Sequence, residues 1–229
     1  MIKGLLLASR LLIITFSLLL LSYWVAPLVS QATTRSQVQV SLTPTDETGA
    51  VTPVDPDDPS QPYPGDPADA GNVTGTGSQG ALTIDFVSNL KFRTTTAQRG
   101  PVKTTATNQR AMVQITDRRS TGAGWTLQVT PSPLRSTQRT LATTLSLGSA
   151  QLQAGAGNVS TAPQIVNTGE LTPGIVNNVL VAKPQTGLGT WLLVLNRGAQ
   201  PTTLAINDQQ LTAGDYTGTL AWSLTNAPN

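Results

Sequence analysis

Two stretches decide the fold: GWTLQVT at residues 124–130 and YTGTLAWSLT at residues 216–225. In the first, Trp125, Leu127 and Val129 alternate with Thr126, Gln128 and Thr130. In the second, Tyr216, Leu220, Trp222 and Leu224 alternate with Thr217, Thr219, Ser223 and Thr225. Apolar residues at period two predict strands with one buried face, because successive side chains point to opposite sides of a strand. Each Trp thus enters the same layer as the Leu two residues on, while Thr126 and Ser223 face away. Only 4% of the chain is aromatic, so the pattern reads first as core-building; burying one Leu stabilises by roughly 1.5–3 kcal/mol. The alternative is that one Trp lines an exposed groove and stacks on sugar or partner side chains.

The alternation extends outward from these two stretches. ALTIDF (81–86) sets Leu82, Ile84 and Phe86 against Thr83 and Asp85, and AMVQIT (111–116) sets Met112 and Gln114 against Val113 and Ile115. Further strand candidates cover 141–147, 163–168, 179–183, 189–196 and 203–207, punctuated by SPLRS, TPGIVNN, NRGAQP and NDQQLTAGD. No stretch has helical periodicity. About nine short strands predict an all-β domain over 80–229, a β-sandwich of Greek-key or jelly-roll-like kind. In GTWLLVLN (189–196) Trp191, Leu193 and Leu195 line one face and Leu192 and Val194 the other. That strand should be covered on both sides, the second by a long loop. It too spells Trp-x-Leu, so the three letters alone are no address.

Residues 1–32 have the build of a secretory signal peptide: Lys3 and Arg10, an apolar run from Leu11 to Leu21, then Ser30-Gln31-Ala32. An uncleaved anchor competes with that reading, because apolar character persists to Val29. No apolar segment ends the chain, so no anchor is expected there. Residues 33–79 change character, with seven prolines, seven acids, and no Lys or Arg between Arg35 and Lys91. They read as a disordered acidic linker, with a reach of at most roughly 150 Å at about 3.1 Å per residue. Within it, GTGSQG matches a nucleotide-loop pattern by letter but precedes a strand rather than a helix. DPDDP lacks the glycine and the geometry of a calcium loop.

Composition removes several chemistries. The chain has no Cys and no His, so Ser-His and Cys-His catalysis, disulfides and most metal sites are excluded. A carboxylate pair is the remaining route to an enzyme, but Asp85, Asp117, Glu170, Asp208 and Asp215 are scattered along the domain. No catalytic residue, cofactor or metal is expected.

Charge is segregated. Residues 80–229 carry eleven bases and five acids, a net +6, and nine of the bases lie between Lys91 and Arg139. Either these are bases that happen to cluster in loops, or they form a surface for an anionic polymer. On the second reading Lys91, Arg93, Arg110, Arg118, Arg119 and Arg135 are the candidate residues for binding it. The export signal argues against nucleic acid.

The leader, the acidic spacer, and the blocks GALTIDFVSNLKF, VQITDRRSTGAGWTLQVTPSPL, APQI, GTW and GDYTGTLAWSLTNAPN together resemble the WxL family of Gram-positive cell-surface proteins. The resemblance covers about 80–229. It departs at Phe92-Arg93, where the family has Phe-Gly, and at AGDYTG, which lacks a usual proline. The resemblance implies non-catalytic, non-covalent attachment of a secreted protein to the cell wall, with peptidoglycan as ligand. It makes Trp125, Leu127, Trp222 and Leu224 the motif positions, either binding or structural. It also implies assembly with other WxL-cluster surface proteins, including a membrane-anchored partner. The alternative function is therefore a structural subunit that binds mainly such a partner.

Overall fold

The computed structural model describes residues 39–40 and 48–228. The expected signal peptide, and residues 33–38 and 41–47 of the expected linker, lie outside the described residues. Fourteen strands follow in order among those described: β1 (Leu82–Val87), β2 (Val102–Thr105), β3 (Met112–Asp117), β4 (Trp125–Pro131), β5 (Leu134–Arg135), β6 (Thr140–Leu141) and β7 (Thr143–Ser146). Then come β8 (Gln151–Ala154), β9 (Gln164–Ile165), β10 (Glu170–Leu171), β11 (Asn177–Ala182), β12 (Gly189–Val194), β13 (Thr203–Ile206) and β14 (Leu220–Thr225).

They form three four-stranded antiparallel sheets and one ribbon. Sheet I runs β1-β3-β12-β8, sheet II β14-β4-β11-β9 and sheet III β10-β7-β13-β2, with β5 paired to β6. The fold is all-β, as the period-two pattern predicts. No neighbours within the three large sheets are consecutive in sequence, so each sheet is closed by chain segments that return from another.

The three sheets share one core. Val113, Ile115, Trp191 and Leu193 enter it from sheet I, Trp125, Leu127, Val129 and Leu180 from sheet II, and Leu145, Leu171 and Leu204 from sheet III. Register explains the two tryptophan motifs. Trp222 lies opposite Val129 and Leu224 opposite Leu127 across the β14–β4 ladder, so both motifs face the same interior. The second strand begins at Leu220 rather than at Tyr216.

One expected facing is reversed. Ile84 pairs with Ile115 and Phe86 with Gln114, and the register shifts between them. This bulge inserts Asp85 as an extra residue. It turns Phe86 away from Leu82 and Ile84 onto the outer face of sheet I.

That outer face carries the largest departure from the sequence reading. Residues 48–79, expected to belong to a disordered linker, form a strap across it. Tyr63 and Val54 of the strap pack with Phe86, Met112, Leu192 and Val194 in a second, smaller core. The Tyr63 and Phe86 rings are 4.8 Å apart and tilted by 53°. The strap is the cover that the two-sided apolarity of 189–196 requires.

The residues that looked like disorder signals build its turns. Asp55, Asp58 and Asp66 accept hydrogen bonds from the backbone N–H groups of Asp57, Ser60 and Ala68, the local bonding that makes Asp a turn residue. Asp55 N–H donates to Gln61 C=O and Tyr63 N–H to Pro53 C=O, closing a hairpin over 53–63. At Gly75, a Cβ would come within 2.9 Å of the Asp85 carbonyl oxygen. Glycine there lets Thr76 N–H donate to that carbonyl at 2.7 Å.

Candidate functional site

Three regions compete as the site: the tryptophan motifs, the bases, and the surface depressions.

Trp125 and Leu127 are completely buried, whereas Trp222 and Leu224 on the edge strand β14 are half-buried. The indole Nε1 of Trp125 donates to Gly187 C=O at 3.0 Å and that of Trp191 to Leu188 C=O at 2.9 Å. One tight turn thus satisfies both buried N–H groups, as buried indoles require. Gly187 makes this possible: its φ is +72°, and a Cβ would lie 2.5 Å from the Cβ of Ala182. Thr126, expected on the open face, is also fully buried, and its hydroxyl donates to Ala227 C=O. The C-terminal residues lie against β4 at this point.

The six candidate bases divide sharply. Lys91 pairs with Asp69 of the strap at 3.2 Å. Arg110 pairs with Asp57 at 3.1 Å, and Arg197 reaches the other oxygen of the same carboxylate at 2.5 Å. Arg118 donates to the carbonyls of Gly49 and Gly80 at 2.7 and 2.9 Å, clasping both ends of the strap. Arg119 holds the buried Asp117 through Nε at 2.9 Å and Nη2 at 2.8 Å. Its guanidinium also donates to Gly124 C=O and to the Asn226 side chain. It therefore ties the residue before Trp125 to the residues after Leu224. Four of the six expected wall contacts are engaged inside the molecule. Arg93 and Arg135 are exposed and, among the described residues, make no side-chain bond or ion pair.

Three further bases share that freedom among the described residues, Arg99, Lys103 and Lys183. Lys103 lies on β2, which the sequence reading did not include. Its signal was present in PVKTTAT, where Val102, Thr104 and Ala106 are buried while Lys103 and Thr105 face out. Arg93 joins them because Phe92 bridges Ala106 and Arg93 N–H donates to Thr105 C=O.

The strap's acids show the effect of these pairings. The Arg197 hydrogen bond, reinforced by Arg110, holds the Asp57 carboxyl below the ordinary carboxylate range against a small desolvation. Burial pushes Asp69 up but is outweighed by the Asn89 hydrogen bond and by Lys91, so it too lies low. Asp85 behaves oppositely. Burial pushes it above the ordinary range, although Thr116 and Thr83 hydroxyls donate to it at 2.6 Å and Gln114 Nε2 at 3.2 Å. Gln114 in turn accepts from Val54 N–H and donates to Thr52 C=O, so the buried acid orients the side chain that pins the strap.

The larger depression, about 690 Å³, lies between the strap and the 155–160 loop. Val54, Val159 and Leu188 form its apolar walls, and Asn158 and Thr190 supply polar groups. None of the described residues that line it is charged.

Among known families, the model described as WxL domain surface cell wall-binding matches residues 29–228, nearly the whole chain. No curated protein matches, and no solved structure does.

Proposed function

The chain belongs to the WxL domain surface cell wall-binding family, and from that premise we propose that it is a secreted, non-catalytic protein attached non-covalently to the wall through an anionic polymer such as peptidoglycan. The observation that carries this reading is the division of the bases. Where Lys91, Arg110, Arg119, Arg139 and Arg197 have acid partners, Arg93, Arg99, Lys103, Arg135 and Lys183 have none among the described residues. Unpaired surface cations in a secreted, net basic domain attract polyanions at a range set by the Debye length, about 8 Å at physiological salt. The domain acids support a non-catalytic role: Asp117 and Asp208 are tied to arginines, and Asp85 is enclosed by hydroxyls and an amide.

A protein partner is favoured by a different observation. Sheet II ends in β14, which among the described strands pairs with β4 alone, and the half-buried Trp222 lies on it. An edge strand with an apolar anchor suits strand addition by a partner. The two readings separate in a sedimentation assay with residues 33–229 and purified sacculi. Retention by sacculi alone, weakened by salt, supports polymer binding. Retention only after a membrane-anchored surface protein is added supports the partner.

A further inference from the structure

We infer that the free edge of β14 pairs with the β14 of a second copy of this chain, antiparallel and centred on Trp222; this rests on the open edge of sheet II described above and is independent of polymer binding. The direction of the backbone groups follows from the residues leading into β14. Ser132 N–H donates to Thr219 C=O, and Pro131 C=O accepts from Gly174 N–H on the β11 side. Thr219 thus points towards the β4 side, and Pro131, opposite Leu220, points away from β14. Hydrogen-bonded and non-hydrogen-bonded pairs alternate along an antiparallel ladder, and the register from Leu220 to Thr225 has no shift. Ala221, Ser223 and Thr225 therefore bond to β4, while the N–H and C=O groups of Leu220, Trp222 and Leu224 face the free edge. No described residue bonds to them there.

The other sheet edges are covered or shorter. Along β1, Thr76 donates its N–H to Asp85 C=O and its hydroxyl to Ile84 C=O. Along β2, Phe92 bridges Ala106 and Arg93 N–H donates to Thr105 C=O. β8 has four residues, and β9 and β10 have two each. β14 has six, and it carries none of the charge, proline or bulge that blunts an edge.

The same strand turned round fits this edge. Its inward row, Leu220, Trp222 and Leu224, reads the same in both directions. Antiparallel pairing centred on Trp222 sets Leu220 against Leu224 of the second copy and brings each free N–H to a free C=O. On the other face Ala221 meets Ser223 and Thr219 meets Thr225, all small and uncharged. The ends are balanced in charge: Arg135 is bridged to Thr217 with Asp215 two residues away, and Arg119 holds Asp117 beside Asn226. The pairing also completes a core. Leu82 and Ile84 of β1, which lies beside β14, and Leu220, Trp222 and Leu224 pack on the main core but are only partly buried. A second Leu-Trp-Leu row closes that seam. Six residues span only about 20 Å, short of the roughly 800 Å² per partner of a standard stable interface. The dimer is therefore reversible, with a dissociation constant in the micromolar range.

Sedimentation equilibrium of residues 33–229 between about 5 and 500 µM should show a monomer–dimer equilibrium. Hydrogen exchange should slow with concentration at the amides of Leu220, Trp222 and Leu224, and stay constant at those of Ala221, Ser223 and Thr225. Ser223→Lys and Ala221→Glu both change exposed positions. Each should weaken its own homodimer several-fold, because like charges then sit diagonally, about 7–8 Å apart. Mixed together, the two variants should pair several-fold more tightly than either does alone, since the introduced lysine lies opposite the introduced glutamate. Misfolding cannot imitate that gain. Wild type that stays monomeric throughout, or a dimer indifferent to both variants and to their mixture, overturns the assignment. If the chain is monomeric and the three outward amides become protected only when a membrane-anchored surface protein is added, the edge is open but its occupant is that partner. If nothing protects them, the open-edge reading itself fails.

Discussion

The outer faces of sheets I and III began as similar problems for the chain and were resolved in opposite ways. Sheet I presents Phe86, Met112, Leu192 and Val194 outward, and the chain covers them with its own acidic strap. Sheet III presents threonine, serine and alanine, and nothing in the described chain covers it. The bases follow suit. Those beside the strap are neutralised by Asp57 and Asp69, and those beside β2 are not. An apolar face demands a cover because of the free energy of burial, and an acidic cover then takes up the nearby cations. A polar face is stable in water and leaves its cations for a partner.

The largest expected effect removes the core on which both faces stand. Trp125→Ala should cost about 3–5 kcal/mol, a fall in melting temperature of roughly 6–20 °C at about 2–4 °C per kcal/mol. Trp222→Ala on the half-buried edge should cost visibly less by differential scanning calorimetry. Equal losses would mean the two motifs are structurally equivalent after all.

Tyr63→Ala addresses the strap alone. It should loosen residues 48–79 without disturbing sheet III, so an acid-specific protease should cut the strap many times faster while polymer binding is retained. A variant whose strap resists cleavage would show that the ion pairs, rather than the small apolar core, hold it. We expect the reverse, because partly exposed ion pairs contribute only about 0–1 kcal/mol each.

Acidification separates the two kinds of carboxylate. Asp57 and Asp69 are depressed in the folded state. Their stabilisation is present above the unfolded carboxylate value and is lost as pH falls through their folded values. Asp85 is raised, so its contribution has the opposite sign: present in acid and lost as pH rises through its folded value. Strap protection should therefore fall below about pH 4, and Asp85→Asn should flatten the decline in global stability on the neutral side. Strap cleavage unchanged down to pH 3 would contradict the ion-pair assignment.

The smallest effect is Asp57→Asn. It frees Arg197 and leaves Arg110 only its longer contact with Asp55 at 3.9 Å, at a cost of at most about 1 kcal/mol, and retention on sacculi should rise about twofold. No rise would confine binding to the unpaired bases, which sharpens the contrast between the two sheets.

Much of the fold was legible because its signal is local. Period two in residues 82–87, 112–117 and 125–131 marks strands, and the double apolarity of 189–196 announced a cover on both faces. The cover itself was not legible. Seven acids and seven prolines in 33–79 have the composition of a chain that cannot fold alone, and only the facing sheet supplies the apolar surface that Tyr63 and Val54 need. The bulge at Asp85 was equally hidden, since one inserted residue reverses every side chain beyond it.

The sequence by itself determined the all-β class, the shared inward direction of each Trp-x-Leu, the absence of His and Cys chemistry, and the segregation of acid from base. Only the tertiary structure decided which bases are free. A charge's availability depends on what lies within a few ångströms of it, and Asp57, Asp69 and Asp117 reach their partners through folding or local geometry that composition does not contain. Arg119 and Arg93 look alike in the sequence; one clamps the ends of the two tryptophan strands, and the other faces water beside Lys103.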